Sequence, residues 1–423
     1  AFLLNRSSDL DLYLCNQNTS IMELISRKQY AEKVDAWLGK GQIIVLVGQR
    51  RIGKSYVLKD FVLRHKNEPD ANVIYIDKEK KEFDAIKDYT TLNEYIDARF
   101  AIGRQNYILI DEVQDIAEWE RSVRSYRTEE RTDVIVTGSN AKMLSSDLST
   151  LLSGRYQEIH IHGLSYSEFL VFHNLEDSES SLIKYLDYGG LPGLRQIGLE
   201  SEERIHDYLQ SVLNTVVLKD IIERHNIRNV PFLNKLLLFL ADNTGKPISA
   251  NNISNYMKSH GTTVSSNIVL DYSSYFEETY LLKCVPRYDI HGKKLLETNG
   301  KYYFEDIGLR NLLSENNQRE KDIEKVLENV VYQQLLRMGY EVRVGQLQAG
   351  EVDFVCTKRK QQVYVQVCYL IASEETEERE FGTLRRIADN HPKYVISLSP
   401  LVKRDNIDGI IHLGLGEFLL KGF

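Results

Sequence analysis

Gly48, Gly53, Lys54 and Ser55 stand at the spacing G-x-x-x-x-G-K-S within GQIIVLVGQRRIGKSYVLKDFVLRH. Glycines let a loop curl until successive backbone N–H groups face one point, and the positive end of a following helix adds to that field. The chemistry this suits is phosphate binding. The expected cradle runs through Gly48, Gln49, Arg50, Arg51, Ile52, Gly53, Lys54, Ser55 and Tyr56. Lys54 is placed to reach the β- and γ-phosphates, and the Ser55 hydroxyl to bind Mg²⁺. A second signal is independent of the first: YILIDE ends an apolar run in Asp111 and Glu112. Asp111 suits the water shell of the same ion, and Glu112 suits orienting and deprotonating an attacking water. A third run, VIVTGSN, ends in Ser139 and Asn140. These either sense a γ-phosphate beside that water or close a turn with their own hydrogen bonds.

Such residues need a scaffold that brings strand ends side by side. The apolar run before the loop, NVIYID (72–77), NYILIDE (106–112), TDVIVTG (132–138) and QEIHIH (157–162) alternate with polar or helical connectors. Strands apolar on both faces argue for an α/β fold with a parallel sheet covered on each side. After Gly163 the pattern turns helical to about residue 229, broken by the turn cluster YGGLPG. Three helical segments and two β-rich runs follow over residues 231–304, the order of a winged helix. From about 321 a helix, the hairpin GEVDFVCTKRKQQVYVQVCY, an acidic amphipathic helix and the strand KYVISL make a smaller α/β unit. A chain of 423 residues is long enough for two to four domains. The expected division is an extension 1–21, a nucleotide-binding unit 22–163, a helical lid-like region 164–230, a winged helix 231–315 and an α/β unit 316–423.

VGQRRIGKS, IDEVQ, VTGSNAKMLSSDLSTLLSGRY, LSYSEFL, YGGLPG and YYFEDIGLRN together resemble a large group of prokaryotic AAA-type ATPases. That group carries a C-terminal domain of unassigned function, and the resemblance runs from about Met22 to Phe423. It implies a P-loop NTPase of the additional-strand class, with ATP and Mg²⁺ as ligands and a strand between the loop strand and the acidic strand. It also implies Arg155, in SGRY, as an arginine finger or sensor, and Arg27 and Tyr30 as residues flanking the adenine.

By the same resemblance the C-terminal unit is restriction-endonuclease-like. Active members bind Mg²⁺ with an acid at one strand end and an acid-x-lysine on the next. Period-2 alternation puts Glu351 and Asp353 on one face, and Gln366 and Cys368 on one face, with Glu328 on the preceding helix. Gln366 offers a neutral carbonyl where Mg²⁺ wants charge, and Cys368 is soft and uncharged. The expectation is a catalytically degenerate domain in which Glu328, Glu351 and Asp353 form at most a weak second metal site.

The segment TTVSSNIVLDYSSYFEETY, where a groove-reading helix would fall, has no Lys or Arg and three acids. That favours a protein partner for the winged helix and C-terminal unit over nucleic acid. A net charge of −8 gives no global pull toward a polyanion. No run of 18 apolar residues predicts a membrane span, and four scattered cysteines suit a reducing cytoplasm. His160 and His162 share a strand face, and without further ligands they read as packed or surface residues. The leading function is an ATPase whose nucleotide state controls the other domains, with oligomers possible. The alternatives are a nucleotide-gated signalling scaffold and an ATP-regulated DNA or RNA nuclease.

Overall fold

The computed structural model describes residues 24–140, 152, 154–314, 319–348, 350–371, 374–398 and 405–423. The expected extension 1–21 lies outside them. Five apolar strands build the first sheet: β1 (Ile43–Val47), β2 (Ala71–Asp77), β3 (Gln105–Asp111), β4 (Thr132–Gly138) and β5 (Tyr156–His160). They pair in parallel in the order β2-β3-β4-β1-β5. β4 therefore lies between the loop-bearing β1 and the acid-bearing β3, the additional-strand arrangement. Every residue of β1 and β4 is buried, because both sheet faces are covered. Alternation divides β1 between two cores. Ile43, Val45 and Val47 join Ile108 and Ile110 on one face, and Ile44 and Leu46 join Leu109 and Ile135 on the other.

The parallel register brings Gly48, Asp111 and Ser139 to one edge of the sheet, at the carboxyl ends of three adjacent strands. Over that edge lies the helix Glu202–Thr215, which continues into a π-helical stretch, Val216–Glu223. π-Helical turns are rare and concentrate at functional sites.

Three helices come next, Val230–Asp242, Ala250–Ser259 and Ser266–Glu278. Side-chain caps from Asn229, Ser249 and Ser265 start them. The antiparallel hairpin β6 (Leu282–Asp289) and β7 (Lys294–Phe304) follows, bulged between Val285 and Arg287. The sheet does not end there. β6 pairs in parallel with β8 (Glu341–Leu347), and β8 continues through β9 (Gly350–Lys358), β10 (Gln361–Cys368), β11 (Lys393–Ser397), β13 (Ile410–Gly414) and β12 (Asp405–Ile407). The boundary expected at 315/316 is thus crossed by one eight-stranded sheet. One core joins Leu164, Tyr166 and Tyr185 of the helical region to Tyr303 of the hairpin and Phe354 and Phe418 of the C-terminal unit. Among the described residues no helix is long and apolar enough to cross a membrane.

Candidate nucleotide site

β1 runs straight into the loop. Gly48 has φ 142°, and a Cβ there would lie 2.3 Å from the Ile161 carbonyl oxygen. Only glycine lets the loop pass that close to the segment after β5. Arg51 (φ 66°) and Gly53 (φ 101°) turn the chain through left-handed conformations into the helix Lys54–His65. No side chain caps this helix at Gly53, which keeps its first amides available to an anion.

Lys54 is buried, and its Nζ donates to the carbonyl oxygens of Gly48 and Gln49 at 2.9 and 3.0 Å. Burial lowers its pKa, and Glu112 and Asp111 work against that. Asp111 accepts from Thr137 Oγ1 at 2.5 Å, and the Ser55 hydroxyl also favours its ionised form. Burial pushes the Asp111 carboxyl up to about 6, against the pull of those two hydroxyls. Glu112 takes the left-handed φ of 53°, a strained conformation for its type. Its N–H donates to Thr137 Oγ1 at 2.9 Å, Ser139 Oγ donates to its carboxylate at 3.2 Å, and Gln114 Nε2 donates to the same oxygen. One threonine therefore buttresses both acids from the middle strand.

Lys54, Ser55 and Glu112 line a cleft of about 450 Å³, within the usual range for small-molecule sites. Its opposite wall includes Phe172, Pro192 and Tyr208. The donor set fits Mg²⁺ with a polyphosphate. Hydroxyl and carboxylate oxygens suit the hard cation, while amides and an amine suit the phosphates. Arg50 adds a feature. It pairs bidentately with Asp220 at 2.8 and 2.9 Å, tying the loop to the π-helical stretch.

The remaining expected residues divide. Ile52 is core, and the buried Gln49 amide has no hydrogen-bond partner among the described residues. Tyr56 is 51 % exposed at the rim. Ser139 meets Glu112, and the neighbouring Asn140 is buried; neither lines the cleft. Arg27 does line it, but its guanidinium pairs with Glu168 and donates to the His162 and Gly163 carbonyls. Tyr30 is a correction. Its ring is core and its hydroxyl accepts from the His162 N–H, so it does not face the cleft. Arg155 is another. Its carbonyl accepts from Ile43 N at 3.0 Å, at the start of β1. The loop begins at the other end of that strand, about 16 Å away at ~3.3 Å per residue. An exposed side chain there cannot serve this chain's own loop.

The second metal site is corrected as well. Glu328, Glu351 and Asp353 do converge, but around Lys301 of β7, whose Nζ lies 2.8, 2.7 and 3.5 Å from them. Burial, then Glu328, pushes the Asp353 carboxyl well above its usual range, with Lys301 opposing. Gln366 donates to Glu380 at 3.0 Å, and burial raises the Cys368 thiol to about 12. An amine thus stands where three acids would hold a metal. Thr137, Asp220 and Lys301 complete these clusters. Each acts on a residue far away in sequence, and no local motif marks it.

The sheet order and the loop-plus-acid site define a P-loop ATPase of the AAA type. Residues 40–170 match the family model of an AAA domain, and residues 179–320 that of a domain of unknown function. An uncharacterised protein of Haemophilus influenzae is 34 % identical over 406 residues, 94 % of this chain and 99 % of its own. One of Methanocaldococcus jannaschii is 28 % identical over 354 residues, 80 % of this chain and 77 % of its own. The solved Walker-type ATPase of Pyrococcus abyssi shares the fold, with TM-score 0.50 at 15 % identity over 68 % of this chain and 95 % of that one. This chain belongs to the prokaryotic AAA-type P-loop ATPase family that carries a C-terminal region of unassigned function.

Proposed function

We propose that this chain hydrolyses ATP slowly with Mg²⁺, and that its nucleotide state sets the arrangement of the hairpin-bearing and C-terminal units. The observation that carries the reading is Asp111 held by Thr137 at the carboxyl end of β3, with Glu112 clamped one residue further on and lining the same cleft as Lys54 and Ser55. Ser55 and Asp111 would hold Mg²⁺, which supplies charge neutralisation across the β- and γ-phosphates. Lys54 exchanges two carbonyl partners for phosphate oxygens. Glu112, held by Ser139 and Gln114, orients a water and takes its proton. Phosphate also competes with Asp220 for the Arg50 guanidinium, so nucleotide would loosen the loop from the π-helical stretch. From the helical region, Gly190 N–H donates at 2.7 Å to Asp306, which caps the helix after the hairpin. That gives a covalently short route to the hairpin.

For partners, the helix Ser266–Glu278 exposes Ile268 and Leu270 and carries no basic residue, which supports a protein surface rather than a nucleic acid. The exposed Arg155, remote from its own loop, fits a role across an oligomer. Free, buried Cys356 and Cys368 suit the cytoplasm. Calorimetry with Mg·ATP and phosphate release tests the proposal. Wild type should bind and turn over, and Glu112→Gln should bind without turnover. Equal phosphate release from both proteins would reject hydrolysis at this site, and binding without release from either would favour the gated scaffold.

A further inference from the structure

His160 and His162 end and follow β5, two residues apart, so both rings lie on one side of the chain. They stack with centroids 4.2 Å apart and planes 16° from parallel. The structure adds the third group that the sequence did not reveal. Glu305, just past β7, puts one carboxylate oxygen 2.8 Å from His162 Nδ1 and the other 3.9 Å from His160 Nε2. One ligand atom from each of the three residues lies within 4.8 Å of the others. A tetrahedral ion with bonds of ~2.1 Å holds its ligand atoms about 3.4 Å apart. The two separations, each to a different oxygen of Glu305, bracket that value. His160 Nε2 is itself buried and has no hydrogen-bond partner among the described residues.

We propose that His160, His162 and Glu305 form a three-ligand site for a first-row divalent cation of the zinc class, set between the ATPase sheet and the β6–β7 hairpin. Two imidazole nitrogens and one carboxylate select a borderline ion over Mg²⁺, which prefers oxygen throughout. The Gly163 N–H favours the ionised Glu305 carboxylate, the form that a cation takes as ligand. Of the nearby arginines, Arg27 is neutralised by Glu168, while Arg337 donates to the Gly163 carbonyl and its charge works against the ion.

The position gives the ion a role. Ile161, between the two histidines, supplies the carbonyl that Gly48 approaches. Asp306, next to Glu305, receives the Gly190 N–H. An ion here staples the backing of the phosphate loop to the base of the hairpin. The site does not depend on the ATPase reading.

The test uses the full chain, stripped with a chelator and free of nucleotide. Zn²⁺ is titrated by calorimetry, and Co²⁺ by its ligand-field absorption. A single equivalent is expected, with the Co²⁺ bands of a four-coordinate nitrogen and oxygen site. His160→Gln loses no hydrogen bond and should keep the fold by circular dichroism, yet weaken Zn²⁺ by at least about tenfold. Lys54→Ala should bind Zn²⁺ at least as tightly as wild type does, because it removes a nearby positive charge. No binding by wild type, or unchanged binding by His160→Gln, overturns the proposal. So does an equivalent that disappears in Asp111→Asn, which would place the ion at the acid pair.

Discussion

Two clusters in this chain bring an amine together with carboxylates, and they differ in what the amine touches. At the loop, Lys54 Nζ bonds two backbone carbonyls, while Asp111 and Glu112 are met by hydroxyls and an amide. At the hairpin, Lys301 Nζ lies directly on Glu328, Glu351 and Asp353. A hydrogen bond between a charged and a neutral group is worth about 1.5–3 kcal/mol, and a phosphate oxygen replaces a carbonyl in kind. Removing one partner from a buried charge cluster costs ~3–5 kcal/mol. The same residue types therefore give an exchangeable site in one place and a closed, structural one in the other.

The largest expected effect lies at the loop. Glu112→Gln keeps the side-chain shape and the Ser139 contact but removes the base, so turnover should fall roughly 100- to 10,000-fold with Mg·ATP binding retained. Lys54→Ala should lose the binding itself. Single-turnover phosphate release and calorimetry separate the two. If Glu112→Gln matched wild type, the loop cluster would be as inert as the hairpin cluster and the contrast would collapse.

At the hairpin the expected loss is of stability, not of activity. Lys301 is 2 % exposed, and Lys301→Met leaves three facing carboxylates without their counter-charge. Urea denaturation should show a loss of ~3–5 kcal/mol with Mg·ATP affinity unchanged. Adding Asp353→Asn should recover part of that loss, because one less charge is stranded. A change under about 1 kcal/mol would mark the pairs as screened, as surface pairs are.

Arg50 and Asp220 stand between these extremes, a buried acid paired with an arginine at the rim of the cleft. A double-mutant cycle with Arg50→Ala and Asp220→Ala should return a coupling of about 0.5–3 kcal/mol without nucleotide. Saturating Mg·ATP should reduce it if phosphate takes Arg50. An unchanged coupling would remove this pair as the link from nucleotide to the helical region.

What could be read beforehand follows from distance along the chain. The loop and the acid pair are legible because each is a run of consecutive residues at a strand end, and alternation exposes the strands themselves. Thr137 is visible in VIVTGSN, but its partners sit on β3, and only the β3–β4 register brings them together. Period 2 puts Glu351 and Asp353 on one face, yet says nothing of Lys301, which arrives from another hairpin. That arrival depends on the parallel β6–β8 pairing, which no local pattern encodes. Glu305 is missed for the same reason, so His160 and His162 read as ordinary packing.

Arg155 gives the smallest expected effect and the sharpest question. It lies at the amino-terminal end of β1, on the side of the sheet opposite the cleft. No side chain spans the about 16 Å that separates it from its own loop. In dilute, monomeric protein Arg155→Ala should therefore change turnover by less than about twofold, since exposed positions remote from a site act within ±0.5 kcal/mol. The measurement is phosphate release across a range of protein concentrations. If turnover in wild type rises with concentration and Arg155→Ala stays flat, the residue completes a neighbour's site and the assembled form is the active one. A loss in Arg155→Ala that is equally large at every concentration would require a path to its own loop that this sheet does not provide.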